Sequence, residues 1–276
     1  LLPKRQHDTH KGTYGRVLII GGSPGMTGAP VMAGKSALRV GAGLVYVGVP
    51  ESLRNFVDIA SLETITLGLP ETKTGFLDPR ALRYIQKIDR DVIAVGPGLS
   101  LQPGIPAIIK GLLQQTSPLV IDADGLNAAA LSGIGVLKHK KCDVVLTPHP
   151  GEMSRLLEMT ADAVQKDRKR LARDLAVKYR ITVVLKGRNT IVAGAGGQTY
   201  VNKTGNPGMA TAGAGDVLSG MLAGLIGQGL PVYKAACLAV FLHGFAGDLA
   251  AKKVSEYGLI AGDIIDTIPE ALKRFV

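Results

Sequence analysis

Six short and almost entirely apolar runs recur along this chain, and they constrain its fold more than any other feature. Each run is bounded by glycine, proline or charged residues, as expected of strands that are covered on both faces. Helix-length stretches separate most of the runs. This alternation predicts an α/β fold with a mainly parallel central sheet and helices on both faces, in a single domain over residues 1–276. The runs are residues 17–20, 44–47, 92–95, 119–121, 144–146 and 182–185.

The stretches between these runs have the length and composition of helices. They cover residues 30–40, 79–88, 104–115 and 161–179. Residues 190–193 and 199–202 flank the sequence Gly-Ala-Gly-Gly and predict a β-hairpin, and the chain that follows predicts helices almost to its end. Because ligands of such sheets bind beyond the carboxyl ends of the strands, the polar loops that follow the runs form the candidate site.

Composition favours an aliphatic core and an anionic ligand. Hydrophobic residues make up 46% of the chain and aromatic residues only 4%. The formal charge of +10 favours anionic partners, but the basic residues are spread along a chain without tryptophan, which argues against nucleic-acid recognition. Cys142 and Cys237 lack metal-ligating neighbours at short spacing. No signal peptide is visible and the longest apolar region is interrupted at residues 227–231, so we expect a cytoplasmic protein without membrane association.

A glycine-rich turn, residues 202–216, ends on the carboxylate of Asp216, and ten mostly apolar residues follow it. Small residues let successive backbone N–H groups converge, and the start of a helix adds partial positive charge. The turn therefore predicts an anion site that suits a phosphate. The carboxylate has two interpretations: Asp216 is either an ordinary helix cap or a catalytic base that takes a proton beside the anion.

Other polar residues follow the apolar runs. Asp122 and Asp124 lie two positions apart, so we expect their side chains to diverge, one towards a ligand and one into the local turn, although Asx-turn capping explains them equally well. Glu152 opens a helix, where its charge is favourable, and the sharper hypothesis places it near Mg²⁺ through water. Lys186 ends a run and can neutralise a phosphate. His149 stands between two prolines and either contacts a ligand or is simply held rigid.

Several of these motifs occur together in a characteristic order. They are residues 10–15 (HKGTYG), 27–30 (TGAP), 96–98 (GPG), 122–127 (DADGLN), 147–152 (TPHPGE), 185–187 (LKG) and 213–220 (GAGDVLSG). From about His10 to its end, the chain resembles the ADP/ATP-dependent NAD(P)H-hydrate dehydratases, and the resemblance implies a ribokinase-like fold. Family members commonly carry Ser or Thr where this chain has Ala214. A hydroxyl is therefore absent from the turn, although the backbone donors remain.

The resemblance implies a lyase that repairs hydrated nicotinamide dinucleotides. ADP, or alternatively ATP, would phosphorylate the added hydroxyl of the S-form of NADH hydrate or NADPH hydrate. Loss of phosphate would then regenerate NADH or NADPH, with AMP and phosphate as by-products of the ADP reaction. Asp216 would be the catalytic base. The anion hole would comprise Gly213, Ala214 and Gly215; the nucleotide site Lys186, Gly187, Arg188, Asn189, Thr190 and Gly215; and the hydrate site Ala29, Gly98, Asp124, Asn127, His149 and Asp216.

The resemblance also implies Mg²⁺ as a cofactor and a homotetramer. Members of the family are often fused behind an epimerase domain for the hydrates, and a start at Leu1 is compatible with such a fusion. Two alternatives stay open. A ribokinase-like kinase of a small vitamin-precursor alcohol would share the anion site and the base. A non-catalytic binder of nucleotides or nucleic acid would account for the basic charge.

Overall fold

A computed structural model of the chain describes residues 5 and 7–275. The predicted domain also includes residues 1–4, 6 and 276, which lie outside the described residues. Within the described part of the chain there are nine strands: β1 Arg16–Ile20, β2 Leu44–Pro50, β3 Ile65–Leu69, β4 Val92–Val95, β5 Leu119–Ile121, β6 Val144–Leu146, β7 Thr182–Leu185, β8 Ile191–Ala193 and β9 Thr199–Val201.

All nine strands form one sheet in the order β3-β2-β1-β4-β5-β6-β7-β8-β9. Strands β1 to β7 are parallel, and the hairpin β8–β9 adds two antiparallel strands at one edge. The direction of winding reverses between the neighbouring strands β1 and β4, which creates the crevice at which ligands of this architecture bind. The predicted mainly parallel sheet is confirmed.

Helices cover both faces of the sheet. They are α1 Gly28–Arg39, α2 Arg54–Ala60, α3 Ala81–Ile85, α4 Ile105–Leu112, α5 Ala123–Leu131, α6 Pro150–Leu157, α7 Ala161–Lys166, α8 Arg168–Tyr179, α9 Ala214–Gly227, α10 Val232–Gly258 and α11 Ala261–Lys273. Alternate residues of β1 point to opposite faces: Val17 and Ile19 belong to the core that includes α1, α9, α10 and α11, while Leu18 and Ile20 belong to the core on the other face.

Helix α10 is long and apolar enough, by length and composition, to cross a bilayer, and it alone has this property among the described residues. In this protein 61% of the most apolar 18-residue segment of α10 is buried inside the fold, as in the core helix of a globular domain. Its backbone leaves the helical region at Ser255, where φ is 67° and ψ is 165°.

The structure confirms all six predicted strands and the hairpin, and it differs from the prediction in three places. The apolar runs do not predict strand β3, because this edge strand mixes exposed, half-buried and buried positions over five residues and includes Thr66 and Gly68. The stretch 161–179 forms two helices, because the backbone of Asp167 leaves the helical region at φ −141° and ψ 40°. Helix α9 begins at Ala214 rather than after Asp216.

Helices α1 and α9 run parallel and approach each other closely. A Cβ atom at Gly220 of α9 would lie 1.9 Å from the carbonyl oxygen of Ala33, and one at Gly224 would lie 2.9 Å from that of Ala37. At the start of α9, a Cβ atom at Gly213 would lie 2.5 Å from Met32 Cε. The N-termini of α1 and α9 are therefore brought to the same end of the sheet, beside the strand ends that carry the polar loops.

We expect Gly220→Ala to destabilise the fold by roughly 3 kcal/mol, because the added methyl group overlaps a backbone carbonyl that cannot move without shifting α1. Denaturant unfolding of the variant measures this loss. Gly262→Ala is the matched control: its Cβ would meet only Ile260 Cδ1 at 3.8 Å, an ordinary contact, within helix α11. Similar stabilities of the two variants would contradict the close packing of α1 and α9.

Candidate functional site

A buried carboxylate joins the ends of three neighbouring strands to helix α9. Asp122, directly after β5, is 1% exposed. Its Oδ1 atom accepts hydrogen bonds of 2.7 Å from Lys186 Nζ, after β7, and of 2.7 Å from Thr147 Oγ1, after β6. Its Oδ2 atom accepts a bond of 2.6 Å from Ser219 Oγ of α9. Asp122 thus fixes the position of the α9 N-terminus relative to the carboxyl edge of the sheet.

The ammonium group of Lys186 lies between two carboxylates. Its Nζ atom is 2.7 Å from Asp122 Oδ1 and 3.7 Å from Glu152 Oε2, and its side chain is 18% exposed. Burial lowers the pKa of Lys186, but Asp122 and Glu152 raise it by more, so the pKa lies above its ordinary value. For Asp122, burial raises the pKa, but the charge of Lys186 and the hydrogen bonds from Lys186, Ser219 and Thr147 together lower it by more. The pair is therefore ionised at neutral pH.

The N-terminal turn of α9, residues 213–216, faces this ammonium group; we call it the anion turn. Gly213 occupies the N-cap position with φ at 88°, and a Cβ atom at Gly215 would lie 3.4 Å from Lys186 Nζ. The N–H of Ala214 donates a long bond of 3.4 Å to the carbonyl of Thr211. The N–H groups of Gly215 and Asp216 donate no hydrogen bond within the described residues. Two helix N–H groups and a lysine thus remain available to one anion.

Asp216 lies in the first turn of α9 and is not its cap, because Gly213 holds the N-cap position. Burial raises the pKa of Asp216 to about 7, and the carboxylates of Asp122, Asp124 and Glu152 add to the rise, while Lys186 opposes it. A carboxylate with a pKa near neutrality can exchange protons at physiological pH, which is the property required of a general base.

His149 and Glu152 form a capping box at the start of α6. His149 Nδ1 accepts bonds from the N–H groups of Gly151 and Glu152, at 2.9 and 3.3 Å, and Glu152 Oε2 accepts a bond of 2.7 Å from the N–H of His149. His149 is exposed and Glu152 is buried. Within the described residues, no group of three or more His, Cys, Asp and Glu side chains could hold a metal ion. Water-mediated contact of Glu152 with Mg²⁺ stays a prediction.

Asp124 and Asn127 form a second polar group on the first turns of α5. Asp124 Oδ2 accepts a bond of 2.8 Å from the N–H of Ser100, and Asn127 Nδ2 donates to Asp124 Oδ1 at 3.3 Å. Arg155 Nη1 donates to Asn127 Oδ1 at 3.1 Å. Asp122 and Asp124 therefore bind different partners, and contact of either carboxylate with a ligand stays a prediction.

Ala29 and Gly98 lie together at the crevice between β1 and β4. Gly98 has φ at 64°, and a Cβ atom there would lie 3.1 Å from Ala29 Cβ and 2.6 Å from the carbonyl oxygen of Met26. Ser23 Oγ donates a bond of 2.8 Å to the carbonyl of Gly98 and joins the two loops. The backbone of Gly98 therefore packs directly against Ala29 and the Met26 carbonyl, and this close approach leaves no room for a side chain at position 98.

Residues 186–190 form the β7–β8 loop, in which Gly187, Arg188 and Asn189 are exposed. Lys186, the first residue of the loop, connects it to the carboxylates of Asp122 and Glu152. Sequence reasoning did not identify Thr147 and Ser219 as partners of Asp122, nor Arg168, which donates to carbonyl groups of this loop. A signal existed for Ser219: it is a polar residue in an apolar helix, three positions after Asp216 and therefore close to the same helix face.

Comparisons with known proteins agree with one another. A family model described as NAD(P)H-hydrate dehydratase matches residues 17–270. The chain is 47% identical over 276 residues to the bifunctional NAD(P)H-hydrate repair enzyme Nnr of Moorella thermoacetica, covering 99% of this chain and 52% of the relative. It is 39% identical over 264 residues to the ADP-dependent (S)-NAD(P)H-hydrate dehydratase of Neisseria meningitidis, covering 94% and 86%.

Among solved structures, the chain matches the crystal structure of the ADP/ATP-dependent NAD(P)H-hydrate dehydratase from Bacillus subtilis, co-crystallised with ATP and Mg²⁺. The TM-score is 0.86 at 30% sequence identity, and the match covers 100% of this chain and 95% of that one. This similarity confirms the expected fold class. The chain spans about half the length of the bifunctional relatives that it matches.

We expect Asp216→Asn to stabilise the protein, and to do so increasingly as the pH rises from about 4 to about 7. The native pKa of about 7 lies above the ordinary value of 3.8, so ionisation of Asp216 destabilises the native state across that interval. Asparagine does not ionise. The gain should reach on the order of 2 kcal/mol above neutrality. Denaturant unfolding at a series of pH values measures it.

The control for this prediction is Asp143→Asn, which removes an exposed carboxylate that does not belong to the group formed by Asp122, Glu152 and Lys186. Its effect on the free energy of unfolding should stay near zero at every pH. If the free energies of unfolding of Asp216→Asn and the wild-type protein differ by a constant amount from pH 4 to pH 8, ionised Asp216 does not destabilise the native state.

Proposed function

The chain belongs to the NAD(P)H-hydrate dehydratase family, and from that premise we propose that it repairs hydrated nicotinamide dinucleotides at the expense of ADP. The terminal phosphoryl group of ADP is transferred to the hydroxyl of the S-form of NADH hydrate or NADPH hydrate, and AMP is released. The phosphorylated ring then loses phosphate and a neighbouring C–H proton, which restores the ring double bond. The products are NADH or NADPH, AMP and phosphate.

The observation that carries this proposal is the position of Asp216. A carboxylate with a pKa of about 7 lies in the first turn of α9, close to the Lys186 ammonium. The N–H groups of Gly215 and Asp216 in this turn have no hydrogen-bond partner in the described part of the chain. A hydroxyl group next to Asp216 would lose its proton to the carboxylate as it attacks phosphorus. The N–H groups and Lys186 would stabilise the negative charge on the transferring phosphoryl group.

The two substrates would occupy neighbouring parts of the carboxyl edge. We assign the hydrate to the crevice formed by Ala29 and Gly98, with Asp124, Asn127 and His149 at its polar side. We assign ADP to the β7–β8 loop and Gly215, which supply backbone N–H groups and the Lys186 charge. Support comes from the geometry: Lys186 belongs to the loop and also lies against the anion turn, so a phosphate chain held by the loop can reach Asp216.

Mg²⁺ is part of the proposal as a companion of the nucleotide. Few metal-ligating side chains near the anion turn are unengaged, since Glu152 already accepts a bond from the N–H of His149 and faces Lys186. A site with so few protein ligands suits Mg²⁺, which keeps several waters and binds mainly to phosphate oxygens. Glu152 would contact the ion through water. When bound, the ion would neutralise charge on the phosphates. The homotetramer, the cytoplasmic location and cooperation with a fused or separate epimerase remain predictions.

The identity of the product tests the proposed activity. With ADP and Mg²⁺, the protein should convert NADH hydrate or NADPH hydrate into the reduced dinucleotide, followed as recovery of the reduced-nicotinamide absorbance, with one AMP formed per dinucleotide. ATP in place of ADP establishes the preferred donor. A stable phosphorylated alcohol as the only product, without recovery of absorbance, would instead indicate a ribokinase-like kinase of a vitamin precursor.

Asp216→Asn should lower turnover at least about 10²-fold, because a positioned general base is lost, while affinity for ADP stays the same or improves as a repelling charge is removed. Turnover of the wild-type protein should rise with pH up to about 7 and then level, since only the ionised carboxylate accepts the proton. Steady-state kinetics from pH 5 to pH 9, with Asp143→Asn as the control, measure both effects. Near-normal turnover of Asp216→Asn would remove the base from the mechanism.

A further inference from the structure

Arg168, the first residue of α8, contacts the backbone at the end of β7 and in the β7–β8 loop at three points. Its Nη1 atom donates a hydrogen bond of 2.6 Å to the carbonyl oxygen of Arg188. Its Nη2 atom donates to the carbonyl oxygens of Leu185, at 3.1 Å, and Lys186, at 3.0 Å. The planar guanidinium suits this arrangement, because its donors point in fixed directions that an ammonium group cannot reproduce.

These contacts give the loop two chemically different sides. The carbonyl of Gly187 accepts a bond of 2.9 Å from Thr190 Oγ1, so four successive carbonyl groups, at residues 185–188, accept bonds from side chains. The N–H groups of Gly187, Arg188 and Asn189 donate no hydrogen bond within residues 5 and 7–275. Gly187 and Asn189 have φ values of 127° and 55°. A turn of this kind, with its carbonyl groups engaged and its N–H groups free, favours an anion.

The arrangement is costly for the folded protein. Burial lowers the pKa of Arg168, and its Nε atom is buried without a hydrogen-bond partner within the described residues. An unpaired buried donor loses its hydrogen bond to water without a replacement, which destabilises the folded state. The helix break at Asp167, between α7 and α8, puts Arg168 at the helix start, in contact with the loop. A costly group that organises an exposed loop is better explained by the ligand of that loop than by stability of the core.

We propose that Arg168 is a positioning residue for the nucleotide: it holds the β7–β8 loop in the conformation that presents its N–H groups to the phosphates of ADP. This inference rests on the proposed function, in which that loop binds ADP. Arg168 itself touches the loop carbonyls and not the reacting atoms. Its loss weakens ADP binding and leaves the base, Asp216, and the hydrate crevice unchanged.

Steady-state kinetics of Arg168→Ala test the inference. The KM for ADP should rise at least about 10-fold, while kcat changes by less than about 3-fold and the KM for the hydrate stays constant, because charge-assisted bonds that order the loop act on nucleotide binding. Arg168→Lys should recover part of the affinity. Arg173→Ala is the matched control, since Arg173 lies on the same helix with a half-exposed side chain paired with Asp174. It should leave both KM values unchanged.

Gly187→Ala tests the same contact from the side of the loop and keeps the inference testable if Arg168→Ala does not fold. Its Cβ would lie 3.2 Å from Arg168 Nη2, and a backbone φ of 127° is strained for any residue with a side chain, so the substitution disturbs both the loop and its contact with Arg168. The KM for ADP should rise again, with little change in kcat.

Two different results would overturn these conclusions. If the wild-type protein repairs the hydrate with ADP but the variants at positions 168 and 187 keep a normal KM for ADP, or lose kcat and affinity for both substrates together, the role of Arg168 is wrong and the proposed function stands. If the wild-type protein shows no ADP-dependent repair, the proposed function is wrong and the inference is lost with it.

Discussion

The ion pair between Asp122 and Lys186 is the interaction on which the site depends. Removing two charges from water is unfavourable, and a buried pair persists only where further hydrogen bonds satisfy both groups. Thr147 and Ser219 supply those bonds to Asp122, and Glu152 lies on the other side of Lys186. Through these contacts the ends of β5, β6 and β7 and the N-terminus of α9 hold one relative position.

That position also sets the electrostatic state of Asp216. Its carboxylate is close to other carboxylates and partly removed from water, which favours the neutral form, while Lys186 favours the charged form. These opposing effects place the pKa of Asp216 near 7. Removing Asp122 would therefore alter the site twice, through the position of Lys186 and through the charge that Asp216 experiences.

Sequence patterns predicted much of the framework. Apolar runs bounded by glycine and proline identified the six strands that are buried on both faces, because burial on both faces leaves an unbroken apolar segment. These patterns did not predict the edge strand β3, since exposed and half-buried positions interrupt its apolar sequence. The break at Asp167 also escaped notice, because the surrounding residues are compatible with a continuous helix. The partners of Asp122 come from residues 147, 186 and 219, and their convergence depends on strand order, which local patterns do not contain.

By itself, the sequence determined the fold class, the glycine-rich turn at a helix start and the chemical types of the candidate side chains, because periodicity and residue chemistry are local properties. Only the tertiary structure decided which of these groups meet. It showed that Lys186 pairs with Asp122 and lies against Gly215, that Gly213 caps α9, and that Arg168 engages the carbonyl groups of the β7–β8 loop. The physical reason is that burial and charge proximity arise from contacts between distant segments, and these contacts set both the pKa of Asp216 and the direction of the free N–H groups.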